Sequence, residues 1–186
     1  INIIKKKNFF KEYYSDIFLL TKDFEEKKFE NIVKKIKRLG KNNKIILVGN
    51  GGSSSIASHV ATDFTKISKI RSTTFNETNL VTCYANDYGY ENWVSRAIKE
   101  YGIKGDICIL ISSSGQSKNM LNAAKECKKR NIFSITLSGF KPTNPLRKLG
   151  NINLWVNSNS YNFVEMTHHI WLVSLSDYLA KKIING

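Results

Sequence analysis

Very little interrupts this chain of 186 residues. It holds two prolines, Pro142 and Pro145, and no low-complexity segment, internal repeat or linker-like stretch. That excludes a string of tethered modules and implies one compact unit over residues 1–186. A chain of this length buries roughly 70% of its unfolded surface, which is enough for a substantial core. No apolar run approaches the roughly 20 residues needed to span a bilayer. The first ten residues carry Lys5, Lys6 and Lys7 where a secretion signal would carry a hydrophobic region. A cytoplasmic location without a membrane partner is therefore expected. The three cysteines, Cys83, Cys108 and Cys127, are odd in number, lack CxxC spacing and lie in apolar surroundings. They predict buried free thiols and no disulfide or thiolate metal site.

Acidic charge is scarce, with 15 Asp and Glu against 29 Lys and Arg and a net charge of +14. Residues 1–44 carry half of the excess, 13 basic against 6 acidic side chains. There the lysines alternate with acids around two apolar stripes, Phe9, Phe10, Tyr13, Ile17 and Leu20, then Phe29, Ile32, Val33, Ile36 and Leu39. This is the pattern of a helical hairpin with a solvated outer face, stopped by Gly40. No nucleic-acid module is recognisable, so nucleic acid is not an expected partner. The charge reads mainly as lysine bias, with some attraction for anionic substrates.

What the chain does contain is one device used twice. Lys44–Val48 is an apolar strand that runs into Gly49-Asn50-Gly51-Gly52-Ser53-Ser54-Ser55 and then into an amphipathic helix. Some 60 residues later, Ile107–Ile111 feeds Ser112-Ser113-Ser114-Gly115-Gln116-Ser117, after which Met120, Leu121, Ala124 and Cys127 recur at helical spacing. Glycine lets backbone approach an anion, and a helix start offers unpaired N–H groups at the positive end of its dipole. Neither turn is a nucleotide fingerprint: the first lacks the Lys-Ser/Thr ending of a P-loop, the second the glycine spacing of a dinucleotide fold. Four hydroxyls within 112–117 suit a phosphate held by hydroxyl and amide donors alone.

The order of elements is two helices (about 3–21 and 25–39), a strand at 44–48 and a helix at about 54–67. A short extended piece near 73–75 and helical pieces near 78–86 and 91–101 follow, then a strand at 107–111 and a helix at 117–129. Strands at 133–137 and 153–156 precede a last helix at about 162–184. Apolar strands alternating with helices predict a parallel sheet covered on both faces, an α/β/α sandwich. Ligands of such sheets bind beyond the carboxyl ends of the strands, where both turns lie.

Gly49-Asn50-Gly51-Gly52-Ser53, His59, Asn86-Asp87-Tyr88-Gly89-Tyr90 and Ser112 through Asn119 resemble, in order and spacing, the sugar isomerase (SIS) domain in its phosphoheptose isomerase branch. The likeness runs from about residue 40 to 180. It implies a flavodoxin-like sandwich with a five-stranded parallel sheet, and a homotetramer whose N-terminal helices (residues 1–40) join the subunits around the core of 41–186, with sites at subunit interfaces. It further implies conversion of sedoheptulose 7-phosphate into D-glycero-D-manno-heptose 7-phosphate, a step toward heptoses of surface polysaccharides. That reaction moves a proton between C1 and C2 through an enediol and needs no redox cofactor. By resemblance Ser112, Ser113, Ser114 and Ser117 hold the phosphate, and Asn50, Gly51, Gly52, Ser53, Asp87 and Glu165 bind the sugar.

Two positions depart from the pattern. The first acid/base, a glutamate four residues after the histidine, is here Asp63, one methylene shorter and on one helical face with His59. The Gln and second histidine of the last helix fall on Glu165 and Val173, and valine moves no proton. At about 100° per residue, Glu165, His169 and Val173 share one stripe, so His169 offers an imidazole one turn earlier. Asp63, Glu165 and His169 are the expected catalytic set. His168, in line with Val164, Trp171, Leu172 and Leu175, is expected in the core. No cofactor is obligatory; the resemblance admits zinc, with His59, Asp63, Glu165 and His169 as ligands. Two other functions compete: a non-catalytic SIS-fold protein that binds a replication initiator, and an isomerase of another phosphosugar.

Overall fold

The computed structural model describes residues 8–180. Five strands form one parallel sheet in the order β2-β1-β3-β4-β5, with β1 Ile45–Gly49, β2 Ser72–Thr74, β3 Ile107–Ile111, β4 Phe133–Ser138 and β5 Ile152–Trp155. Its helices are α1 Phe9–Lys22, α2 Glu26–Lys37, α3 Gly52–Lys66, α4 Thr78–Tyr88, α5 Trp93–Tyr101, α6 Lys118–Lys129 and α7 Tyr161–Leu179, with a 3-10 turn at Pro145–Lys148. The expected sandwich is thus present. The parts of the first and last expected helices at 3–7 and 181–184 lie outside the described residues.

Alternation along the strands divides the core. Ile45, Leu47, Ile107, Ile109, Ile111, Ile135 and Leu137 point toward α2, α3 and α7, while Ile46, Val48, Cys108 and Leu110 point toward α5 and α6. All five residues of β1 and of β3 are buried, which is why both read as continuous apolar runs. The strand order reverses between β1 and β3, and a sheet of this order binds its ligand beyond the carboxyl ends at that switch point.

One expectation about side chains needs correction. Cys108 and Cys127 are buried, but Cys83 is exposed, because α4 lies at the periphery and buries none of its residues. In the hairpin, α2 buries Ile32, Val33 and Ile36 whereas α1 buries nothing. Phe10, Tyr14, Phe18 and Leu19 are each more than half exposed. The α1 helix is held through Trp171, whose indole N–H donates to the Thr21 carbonyl at 2.9 Å, and through Tyr13 against Phe163, with ring centroids 4.9 Å apart. No described helix is long and apolar enough to cross a membrane.

Candidate active site

The turns after β1 and β3 meet. Ser53, buried in the first turn of α3, lies with its Oγ 3.5 Å from the Ser113 Oγ. Glu165, from the first turns of α7, reaches between them, and its Oε1 accepts from both hydroxyls at 3.4 Å. Gly52 makes that approach workable: a Cβ there would stand 2.2 Å from the Glu165 Oε2. The carboxylate therefore rests on the start of α3, where no side chain caps the helix, and the helix dipole favours negative charge.

Farther along, α3 and α7 run side by side. The His59 Nδ1 is 2.7 Å from the His169 Nε2, and the other nitrogen of His59 faces the Asp63 carboxylate at 3.3 Å. Ser68 and Ser176 close the line with an Oγ to Oγ contact of 2.8 Å. Half-buried between helices, His169 loses solvation, and the neighbouring His59 adds to this; together they push its pKa below the usual imidazole value, against the opposing pull of Asp63. His168, one residue earlier, is fully buried, and burial lowers its pKa to about 4. Its Nε2–H donates to the Ser138 carbonyl at 3.2 Å, so it is a core residue as expected.

The remaining candidates divide by turn. Ser112 and Ser117 pair through their hydroxyls at 3.1 Å, and the half-exposed Ser114 accepts from the Gln116 N–H at 3.3 Å. Gly51 is exposed at the entry to α3. Asn50 exchanges amide hydrogen bonds of 2.8 and 3.1 Å with Asn119 and accepts from the Tyr90 hydroxyl at 3.2 Å. Asp87 is exposed and bonds only within α4, to Asn86 and Cys83, so within one chain it does not join the others. Asn119 and Tyr90 lie within the motifs that carry the resemblance, where neither has a role of its own. For Asn119 the signal was present, since it is a polar residue on the buried stripe of α6 with Met120, Ala123, Ala124 and Cys127.

The four zinc candidates do not assemble as a ligand set. Glu165 is turned to Ser53 and Ser113, while the two imidazoles touch each other. Tetrahedral zinc with bonds of about 2.1 Å holds its ligand atoms about 3.4 Å apart, wider than the 2.7 Å between His59 and His169. His59 also meets Asp63 through its other nitrogen. Among the described residues, no group of three or more His, Cys, Asp or Glu is arranged to hold a metal.

Residues 12–139, which include both hydroxyl-bearing turns, match the SIS domain. The chain belongs to the SIS-domain family. Along nearly its whole length it is similar to the phosphoheptose isomerase of Sulfurimonas denitrificans, at 32% identity over 193 aligned residues covering 95% of this chain and 96% of that protein. A shorter stretch of 112 residues is 45% identical to phosphoheptose isomerase 2 of Campylobacter jejuni, covering 56% of this chain and 55% of the other. Among solved structures, the phosphoheptose isomerase GmhA of Neisseria gonorrhoeae superposes with a TM-score of 0.82 at 25% identity, covering 91% of this chain and 94% of that one. One from Francisella tularensis superposes at 0.83 and 22% identity, over 94% and 96% of the two chains, and speaks for the fold alone.

Proposed function

We propose that this SIS-domain protein is an aldose–ketose isomerase of a phosphorylated sugar, acting on sedoheptulose 7-phosphate as phosphoheptose isomerases do. The observation that carries the proposal is the Glu165 carboxylate seated between Ser53 and Ser113, where the two turns meet. A carboxylate repels a second anion, so the phosphate belongs on the far side of the β3–α6 turn, with Ser112, Ser114, Ser117 and the uncapped amides that open α6. The sugar then runs along the α3–α7 groove, past Glu165 and toward His169.

In that pose Glu165 takes the proton from C1 of the ketose and returns it to C2 of the enediol. His169 takes the proton from O1 and delivers it to O2. Behind it, His59 and Asp63 orient the ring and share the proton, in the way a carboxylate and imidazole back a reacting group. Zinc on His59, Asp63, Glu165 and His169 enters no step, because the imidazole contact does not fit it.

The groove lies open in one chain, with Gly51, Gly52 and His59 exposed, and α1 presents an uncovered apolar face. Both features support a homo-oligomer, a tetramer by the family resemblance, in which residues 1–40 join the subunits and a neighbouring copy closes the groove. A cytoplasmic enzyme is consistent with the sequence and with the absence, among the described residues, of a helix long and apolar enough to cross a membrane.

The test is to incubate the protein with sedoheptulose 7-phosphate in deuterium oxide and follow products by NMR. The expected result is the aldose 7-phosphate carrying solvent deuterium at C2. Neither aldose nor deuterium exchange, with the ketose unchanged, would reject isomerisation.

A further inference from the structure

The opposite end of the sheet carries a second concave site. A cavity of about 450 Å³ opens at the amino ends of β4 and β5, lined by Lys35 of α2, Lys128 of α6 and Lys148 of the 3-10 turn, over a floor that includes Asn131, Ser134 and Asn151. Its lining has three cations and no acid. Among the described residues, none of the three lysines forms an ion pair. Other lysines of this chain do find carboxylates, such as Lys44 with Asp106 and Lys28 with Glu25. Lys35 is half-buried, with its ammonium 4.9 Å above the Phe133 ring, which holds it at the cavity wall.

The floor adds directed donors. The Asn151 side-chain oxygen accepts from both the Ser134 N–H at 2.8 Å and the Ser134 hydroxyl at 3.2 Å. That fixes the amide, and its NH₂ group makes no hydrogen bond within the described residues. Three lysines from three separate elements, none of them in an ion pair among the described residues, thus line one concavity with a fixed amide donor, a setting of positive potential that attracts an anion.

We propose that this cavity binds a small multivalent anion, of the class of di- and triphosphates and the metabolites that carry them. The site is separate from that of the sugar phosphate. The β4 strand runs from Phe133 at the cavity to Leu137, whose carbonyl receives the Ser112 N–H of the substrate turn, and the four steps of strand between them span about 13 Å. A bounded cavity selects a compact anion over an extended one, which would need a basic track.

The probe is inorganic tripolyphosphate, titrated calorimetrically into the full chain at about 50 mM salt. The proposal expects saturable binding that weakens on the order of tenfold in Lys35→Gln with Lys148→Gln. It expects no change in Ser114→Ala with Ser117→Ala, or in Lys66→Gln with Lys69→Gln at a remote part of the surface. Isomerisation should be unchanged in the Lys35 and Lys148 variant, and circular dichroism should show it folded. Loss of binding in the serine variant would move the anion to the substrate site and overturn the proposal. Equal weakening in both lysine variants would reduce it to net charge and overturn it as well. Duplex DNA that binds more tightly than tripolyphosphate, through the same two lysines, would replace the small anion with a polyanion.

Discussion

The turn after β1 spends its polar groups on the rest of the protein, whereas the turn after β3 keeps most of its own. Asn50 is committed to Asn119 and Tyr90, and Gly52 and Ser53 to Glu165. In the second turn Ser112 pairs with Ser117 and Ser114 with the Gln116 amide; of its hydroxyls Ser113 alone reaches out, to Ser53 and Glu165. Two turns of similar composition therefore take different work. The first is framework and seats the carboxylate that we propose reacts, and the second presents hydroxyls that a phosphate can claim by exchanging one local bond for another.

The sharpest way to break this contrast is to deform the second turn. Gly115 has φ of +65°, and a Cβ there would stand 2.0 Å from the Asn144 Oδ1 and 2.9 Å from its Cβ. Asn144 cannot yield, because its amide nitrogen bonds Gly139 and Lys141 and its oxygen the Arg147 N–H. Gly115→Ala should cost about 3 kcal/mol in urea unfolding. A loss under about 0.5 kcal/mol would mean that the turn is not rigidly held.

Next in size is an acid effect on the helix that delivers Glu165. His168 anchors α7 to the end of β4, and burial holds its pKa at about 4 against 6.5 when unfolded. Between those values the unfolded chain binds the extra proton, so this stability is complete above pH 6.5 and is lost as pH falls toward 4. Unfolding at pH 5 should show about 2 kcal/mol less stability than at pH 7, and His168→Gln should flatten that slope. An unchanged slope in the variant would assign the acid sensitivity elsewhere.

A smaller change should separate chemistry from folding in the first turn. In Gly52→Ala the added methyl meets only the far end of the Glu165 side chain, which can move aside. Melting should shift by a few degrees at most, while kcat falls about tenfold. Unchanged kcat would mean that the Glu165 position is not needed.

Much of this was legible in the residues. Buried strands announced themselves as apolar runs at 45–48 and 107–111, and both turns by glycine and serine. The inward direction of His168 followed from helical spacing alone. Contacts between elements distant in sequence were not legible: the pairing of His59 with His169, 110 positions apart, depends on how α3 and α7 lie on the sheet. So does the placing of Glu165 against Ser53 and Ser113, away from the two imidazoles. In α1 the stripe residues Tyr13, Ile17 and Leu20 are half-buried as a hairpin requires, while Tyr14, Phe18 and Leu19, off that stripe, form a second and exposed apolar face that the periodicity alone does not flag.

The division of labour between the turns is tested most directly by steady-state kinetics of Ser114→Ala and Glu165→Gln with sedoheptulose 7-phosphate, measured side by side. The account predicts a KM raised about tenfold with kcat retained for the serine variant, and a kcat lowered at least about a hundredfold with KM retained for the glutamine variant. Wild-type kcat in Glu165→Gln, or loss of kcat with unchanged KM in Ser114→Ala, would contradict it.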